Sequence, residues 1–163
     1  MNELSKKRRL AKMKVLRDVS VEYSDYIRCE DCKIRDLCNN SSVFINCSWM
    51  FLAGVATGRI YRTGRLRKVN NYPMDACNKL LNHIVAFRRK YVSKCYECPI
   101  FKECKQMDFR YHSYFRYNSS LHCHFSFLLC VIFGIIDVDG ERKQDKGESS
   151  RKSRQPKPQG CRK

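Results

Sequence analysis

No apolar stretch in this chain reaches the length of an ordinary membrane span. The run Phe125 to Ile136 gives twelve uncharged residues, where about 20 are needed, so it predicts a buried helix or strand and an inserted membrane segment is not expected. The N-terminal sequence MNELSKKRRLAKMKVLRD also lacks the apolar core of a secretory signal. A cytoplasmic location with reduced thiols is the expectation. A phosphate-binding loop, a metalloprotease helix and a nucleophile elbow are all missing. No Cys-His nucleophile can be assigned either, so no catalytic residue is expected and the chain does not read as an enzyme. Acid is scarce: 16 Asp and Glu against 33 Lys and Arg leave a net charge of +17 over 163 residues. Such a charge implies an anionic partner, with nucleic acid first, an acidic membrane surface second and an acidic protein third. The plain alternative is a generally basic, solvated surface.

Against these absences stand eleven cysteines. Six of them form two triads of identical C-x2-C-x5-C spacing: Cys29, Cys32 and Cys38 in CEDCKIRDLC, then Cys95, Cys98 and Cys104 in CYECPIFKEC. Random placement would give two such triads about once in a thousand chains. Three thiolates on one short loop can point at a common centre, which is the donor set for zinc or an iron-sulfur cluster. Disulfides and inert buried thiols are the alternatives, and an odd cysteine count fits pairwise disulfides poorly.

Zinc modules usually pair two knuckles around one ion, and neither triad has a second knuckle beside it. A triad with a more distant fourth ligand favours one or two [4Fe-4S] clusters, with zinc as the alternative. The candidates for that fourth ligand are Cys47 or Cys77 at the first triad, and Cys123, His112, His122 or His124 at the second. A continuous helix over 75–94 would hold Cys77 about 27 Å from Cys95, too far to complete the second triad. The ligand sets named first are Cys29, Cys32, Cys38 and Cys47, and Cys95, Cys98, Cys104 and Cys123, with Cys77 open at the first triad and the three histidines at the second. Cys130, within FLLCVIF, reads as a buried apolar thiol, and Cys161 as a bystander in the C-terminal tail.

The loop CYECPIFKEC resembles the iron-sulfur loop of the actinobacterial WhiB-type regulators, whose pattern is similar to C-x2-C-P-V-x3-C. It is also similar to the auxiliary-cluster loops of SPASM domains and to the C-terminal loop of iron-sulfur exonucleases related to the CRISPR adaptation nucleases. The match covers about ten residues in each copy, and what the three resemblances jointly imply is a cluster. The departures are specific. GVATGRIYR, after the first triad, lacks the Trp of the G-V-W-G-G-like turn of WhiB proteins. GIIDVDGERK offers an Asp and an E-x-K but follows the triads, with no room for the intervening strand of a nuclease. No radical-enzyme barrel of the kind that precedes SPASM domains fits in this length.

The expected fold is a small, mainly α-helical, metal-stabilised domain with irregular cysteine loops and a disordered basic tail. Residues 1–72 would hold a basic helix over 3–20 with a thin stripe of Leu10, Met13 and Leu16, the first triad and an Arg-rich segment. Residues 73–138 would hold the helix over 75–94, with Ala76, Leu80, Ile84, Phe87 and Tyr91 on its apolar face, then the second triad and the apolar run. Residues 139–163 are too polar to bury a core and form the tail. VFINCSWMFLAGVA is buried, as helix or as strand. Nucleic-acid contacts are expected from Lys6, Lys7, Arg8 and Arg9, and from Arg59, Arg62, Arg65, Arg67 and Lys68 in the echo TGRIYR, TGRLRK. Arg110 and Arg116 would join them, flanking Tyr111, Tyr114 and Phe115 as stacking aromatics. The expected function is a metal-binding, nucleic-acid-binding protein, with a redox-sensitive regulator as its most specific form. The alternatives are an electron-transfer or auxiliary-cluster subunit docking an acidic protein, and a zinc-stabilised viral or mobile-element accessory protein.

Overall fold

The computed structural model describes residues 2–26, 28–43, 46–68, 74–109 and 121–143, the side chains of 24–26 apart. Its first helix, α1 (Glu3–Tyr26), contains neither Gly nor Pro and runs six residues beyond the expected basic segment. Asn2 starts it: its side-chain oxygen accepts the Ser5 backbone N–H at 2.9 Å, which satisfies one of the orphan donors of the first turn. Met13, Leu16, Ser20 and Val21 are buried, while Lys6, Lys7 and Arg8 face water.

A 3-10 turn at Cys29–Asp31 and the short helix α2 (Arg35–Asn39) carry the first triad. The apolar run that could have been helix or strand is the helix α3 (Cys47–Ala56). Asn46 decides its start, accepting the Trp49 N–H at 2.8 Å. The helix α4 (Met74–Tyr91) ends three residues short of the expected boundary. A 3-10 turn at Cys95–Glu97 and the helix α5 (Phe101–Met107) carry the second triad. The second apolar run is the helix α6 (Leu121–Ile132). Among the described residues there is no strand, only two isolated antiparallel bridges, Ile60 with Leu66 and Ile136 with Arg142. No described helix is long and apolar enough to cross a membrane.

These elements repeat. Each half runs long helix, 3-10 turn with two cysteines, short helix with the third, apolar helix, then hairpin. The apolar helices close identically. Arg59 N–H reaches the Gly54 carbonyl at 2.8 Å and Gly58 N–H reaches Val55 at 3.2 Å; in the second half Ile135 reaches Cys130 at 2.8 Å and Gly134 reaches Val131 at 3.0 Å. This is a Schellman cap, and its left-handed position is held by glycine in both halves, Gly58 at φ 82° and Gly134 at φ 68°. The hairpins also match. Tyr61 N–H bonds Arg65 at 2.8 Å and Asp137 N–H bonds Glu141 at 2.9 Å, and Arg67 and Lys143 return to Arg59 and Ile135. Ordered structure therefore continues to Lys143, inside the segment that composition assigned to the tail.

The halves share one core. α3 packs against both α1 and α6, and a single buried cluster runs from Met13 through Trp49, Phe51 and Leu81 to Phe127 and Ile136. The first-half hairpin reaches the second half directly, since Arg62 donates to the Ile132 carbonyl at 2.7 Å and lies over the Phe133 ring at 4.2 Å. Arg17 of α1 likewise donates to the Met107 carbonyl at the end of α5. The segments 1–72 and 73–138 are thus joined through a continuous apolar interior.

Candidate metal centres and the basic surface

Cys29 and Cys32 sit on the first 3-10 turn, Cys38 on α2, and Cys47 is the opening residue of α3. All four line one cavity of about 320 Å3, together with Tyr23, Ile34, Arg35 and Asn39. In the second half Cys95, Cys98, Cys104 and Cys123 line a cavity of about 30 Å3 with Phe87, Arg88, Tyr91, Ile100 and Phe101. Each triad thus gains a fourth cysteine from the N-terminal turn of the apolar helix that follows it. Backbone N–H groups at a helix start favour a thiolate, which is a physical reason for a donor at that place.

The thiols interact electrically within each set. Burial pushes Cys38 up to about 12, helped by charge on Cys32, Cys47 and Cys29. Cys47 is raised by burial and then by Cys29 and Cys32, partly offset by a backbone hydrogen bond at its helix start. In the second set burial raises Cys98, Cys104 and Cys123, with mutual repulsion adding to each. Ser126 lies against Cys104 and works the other way, as does Arg88 on Cys123. Thiols such as Cys38, Cys47, Cys98, Cys104 and Cys123, raised by burial and by their neighbours, suit a cation, whose charge reverses the balance.

The sets differ in closure from a single-ion chelate. Among the described residues no three Cys, His, Asp or Glu side chains stand close enough to hold one metal ion. Tetrahedral zinc needs sulfurs about 3.8 Å apart, from Zn–S bonds of about 2.3 Å. Here the thiols ring a space instead of meeting at a point. The first cavity far exceeds the roughly 10–15 Å3 that one water requires, whereas the second is of nearly that scale.

The other proposed ligands lie elsewhere. Cys77 is fully buried in the core and does not line the first cavity. His122 stacks on Phe109 with ring centroids 4.7 Å apart. His124 is buried against Trp49, centroids 5.1 Å apart, and burial together with the nearby Arg88 lowers its pKa to about 4. His112 falls outside the described residues, as does Cys161. Cys130 is fully buried. It occupies the position that Gly54 holds in the first half, where a Cβ would meet the Ile60 side chain at 2.7 Å.

The basic residues divide by role. Arg59 pairs with Asp36 at 3.0 Å, Arg62 is docked on α6, and Arg67 lies over the Tyr61 ring at 4.3 Å. The TGRIYR segment therefore opens a hairpin in which Arg59, Arg62 and Arg67 make intramolecular contacts, while Arg62, Arg65, Arg67 and Lys68 all remain exposed. Arg9 is partly buried beside the exposed Lys6, Lys7 and Arg8. Arg110, Arg116 and the aromatics between them lie outside the described residues. Sequence reasoning missed two aromatic positions, Tyr96 and Phe101, which are 76% and 40% exposed beside the second cysteine set. The signal was present in CYECPIFKEC, whose non-cysteine positions differ in kind from those of CEDCKIRDLC. No protein-family model matches this chain, and no curated protein or solved structure is similar to it.

Proposed function

We propose that this chain is a basic protein with two thiolate metal centres that binds nucleic acid, with [4Fe-4S] as the favoured group. Cys29, Cys32, Cys38 and Cys47 would hold one centre, and Cys95, Cys98, Cys104 and Cys123 the other. One observation carries the reading: both triads, at matching places in a repeated backbone, share a cavity with a fourth cysteine from the next helix start. A cluster bound there would supply one-electron redox chemistry and a cross-link between the cysteine loop and the core. The protein's own part is to set the donors, bury them and limit solvent access. The loop-level likeness to WhiB-type and SPASM clusters supports the same group.

Zinc is the second reading, and the small second cavity favours it there. Anaerobic purification followed by iron, sulfide and zinc analysis separates the two. Brown protein with about four or eight irons per chain supports clusters; colourless protein with stoichiometric zinc replaces them. Cys47→Ser and Cys123→Ser should each remove the metal of one centre only. Unchanged metal in either variant would rule out that fourth ligand.

For nucleic acid the support is the +17 charge and the exposed cations of α1 and of the second cysteine loop. Counterion release makes such binding fall steeply with salt. A cluster whose loss loosens the scaffold would tie binding to oxidation, the regulator form of this reading.

A further inference from the structure

The cysteine loops have the same backbone and opposite charge. Residues 22–39 contain five Asp or Glu and three Lys or Arg, whereas residues 88–105, their counterparts 66 positions on, contain six Lys or Arg and two Glu. Around the second cysteine set, Tyr96 projects from the 3-10 turn between Cys95 and Cys98, 76% exposed, and Phe101 opens α5 at 40%. In the first set those places are taken by Glu30 and Arg35, and the places of Lys102 and Lys105 by Asp36 and Asn39. Phe101 and Lys105 are four apart on α5, and Lys102 and Lys105 three apart, so ring and cations share one exposed face. Both acids of the second loop are already engaged, Glu97 by Lys94 at 3.2 Å and Glu103 by Arg142 at 2.6 Å. The rim is left cationic, with two exposed rings.

Exposed rings cost free energy in water unless something covers them, and a duplex would hide its base faces from them. Unpaired bases present π-faces spaced along a phosphate chain, which matches rings set among lysines. We propose that the rim of the second cysteine set is a single-strand binding platform, on which Tyr96 and Phe101 stack on unpaired bases. Lys102, Lys105, Arg89 and Lys90, all exposed, lie along the phosphates. The first rim, with Glu30 and Asp31, repels the same strand. This deepens the nucleic-acid reading above and rests on it.

The test is fluorescence anisotropy of labelled oligothymidylate, and of a duplex of equal length, with the metal-loaded protein at low salt. Single strand should bind tighter than duplex. Tyr96→Ala should weaken it about tenfold with metal content unchanged, and Lys102→Ala with Lys105→Ala should lower the salt slope by about two. Lys33→Ala, at the first rim and outside its cavity, should leave affinity unchanged. If the wild-type protein binds no oligonucleotide, the nucleic-acid reading itself falls. If it binds but Tyr96→Ala binds equally well, or duplex binds as tightly, only the platform falls. Salt-sensitive retention of polyglutamate or anionic vesicles in place of oligothymidylate overturns it in favour of an acidic protein or a lipid surface.

Discussion

At the first cysteine set a tyrosine hydroxyl stands 3.6 Å from the Cys32 sulfur; at the second, the guanidinium of Arg88 lines the cavity and favours the Cys123 thiolate. The residue matching Arg88 in the first half is Glu22. Donors, caps and turns are held constant across the repeat while their electrical surroundings are reversed. Backbone geometry thus fixes where four sulfurs go, and the neighbours set what a bound group would experience, through hydrogen bonds, charge and solvent access. Two cysteine sets of the same spacing in one small chain need not be equivalent.

The strongest way to break this comparison is through the shared core. Phe51 and Phe127 are fully buried and each stands four residues after the fourth cysteine of its half. Phe51→Ala and Phe127→Ala should each cost about 3–5 kcal/mol, and denaturant unfolding of each should remain one transition because the interior is continuous. Two separate transitions would mean that the halves are independent units. Next come the helix caps. A Cβ on Gly58 or Gly134 would meet nothing within 4 Å, so the cost of Gly58→Ala or Gly134→Ala is backbone strain alone, about 1–2 kcal/mol and nearly equal in the two halves. Thermal melts of the pair check this, and a marked inequality would show that the caps are not equivalent.

Smaller effects sharpen the contrast. Arg142 grips both oxygens of Glu103 and the Pro99 carbonyl, whereas Arg59 donates to Asp36 Oδ2 and, at 3.3 Å, to the Arg67 carbonyl. Arg142→Ala should destabilise by up to about 1 kcal/mol and Arg59→Ala by less, since one partner of each pair is well exposed and solvent screens the interaction. Equal losses in chemical denaturation would contradict that ranking. The smallest expected change is Tyr23→Phe. It removes the hydroxyl beside Cys32 and should alter the visible spectrum or reduction midpoint of the first centre alone, leaving the second as a control.

Much of the site was legible in the cysteines themselves, because a short loop leaves little freedom in where three sulfurs go. Cys47 and Cys123 were named as ligands without a reason to prefer the helix start, and Asn46 capping supplies that reason for Cys47. The two apolar runs were illegible as helix or strand, since residues buried on every side carry no periodicity. The repeat beyond the triads was hidden for another reason. TGRIYR and TGRLRK drew the eye as adjacent echoes, yet the structural partner of GRIYRTGRLR is GIIDVDGERK, which keeps the two glycines and little else. Turn geometry demands glycine at those places and tolerates reversed charge at the rest.

Eight residues separate Cys38 from Cys47, and eighteen separate Cys104 from Cys123. Both intervals deliver a cysteine to the same place in the repeat, so the connection between third and fourth cysteine accommodates either length. That is a practical opening for labelling: a short affinity peptide or a fluorophore attachment site grafted between Ser41 and Val43 would lengthen the first connection toward the second, and the chain already demonstrates that a longer span delivers its final sulfur.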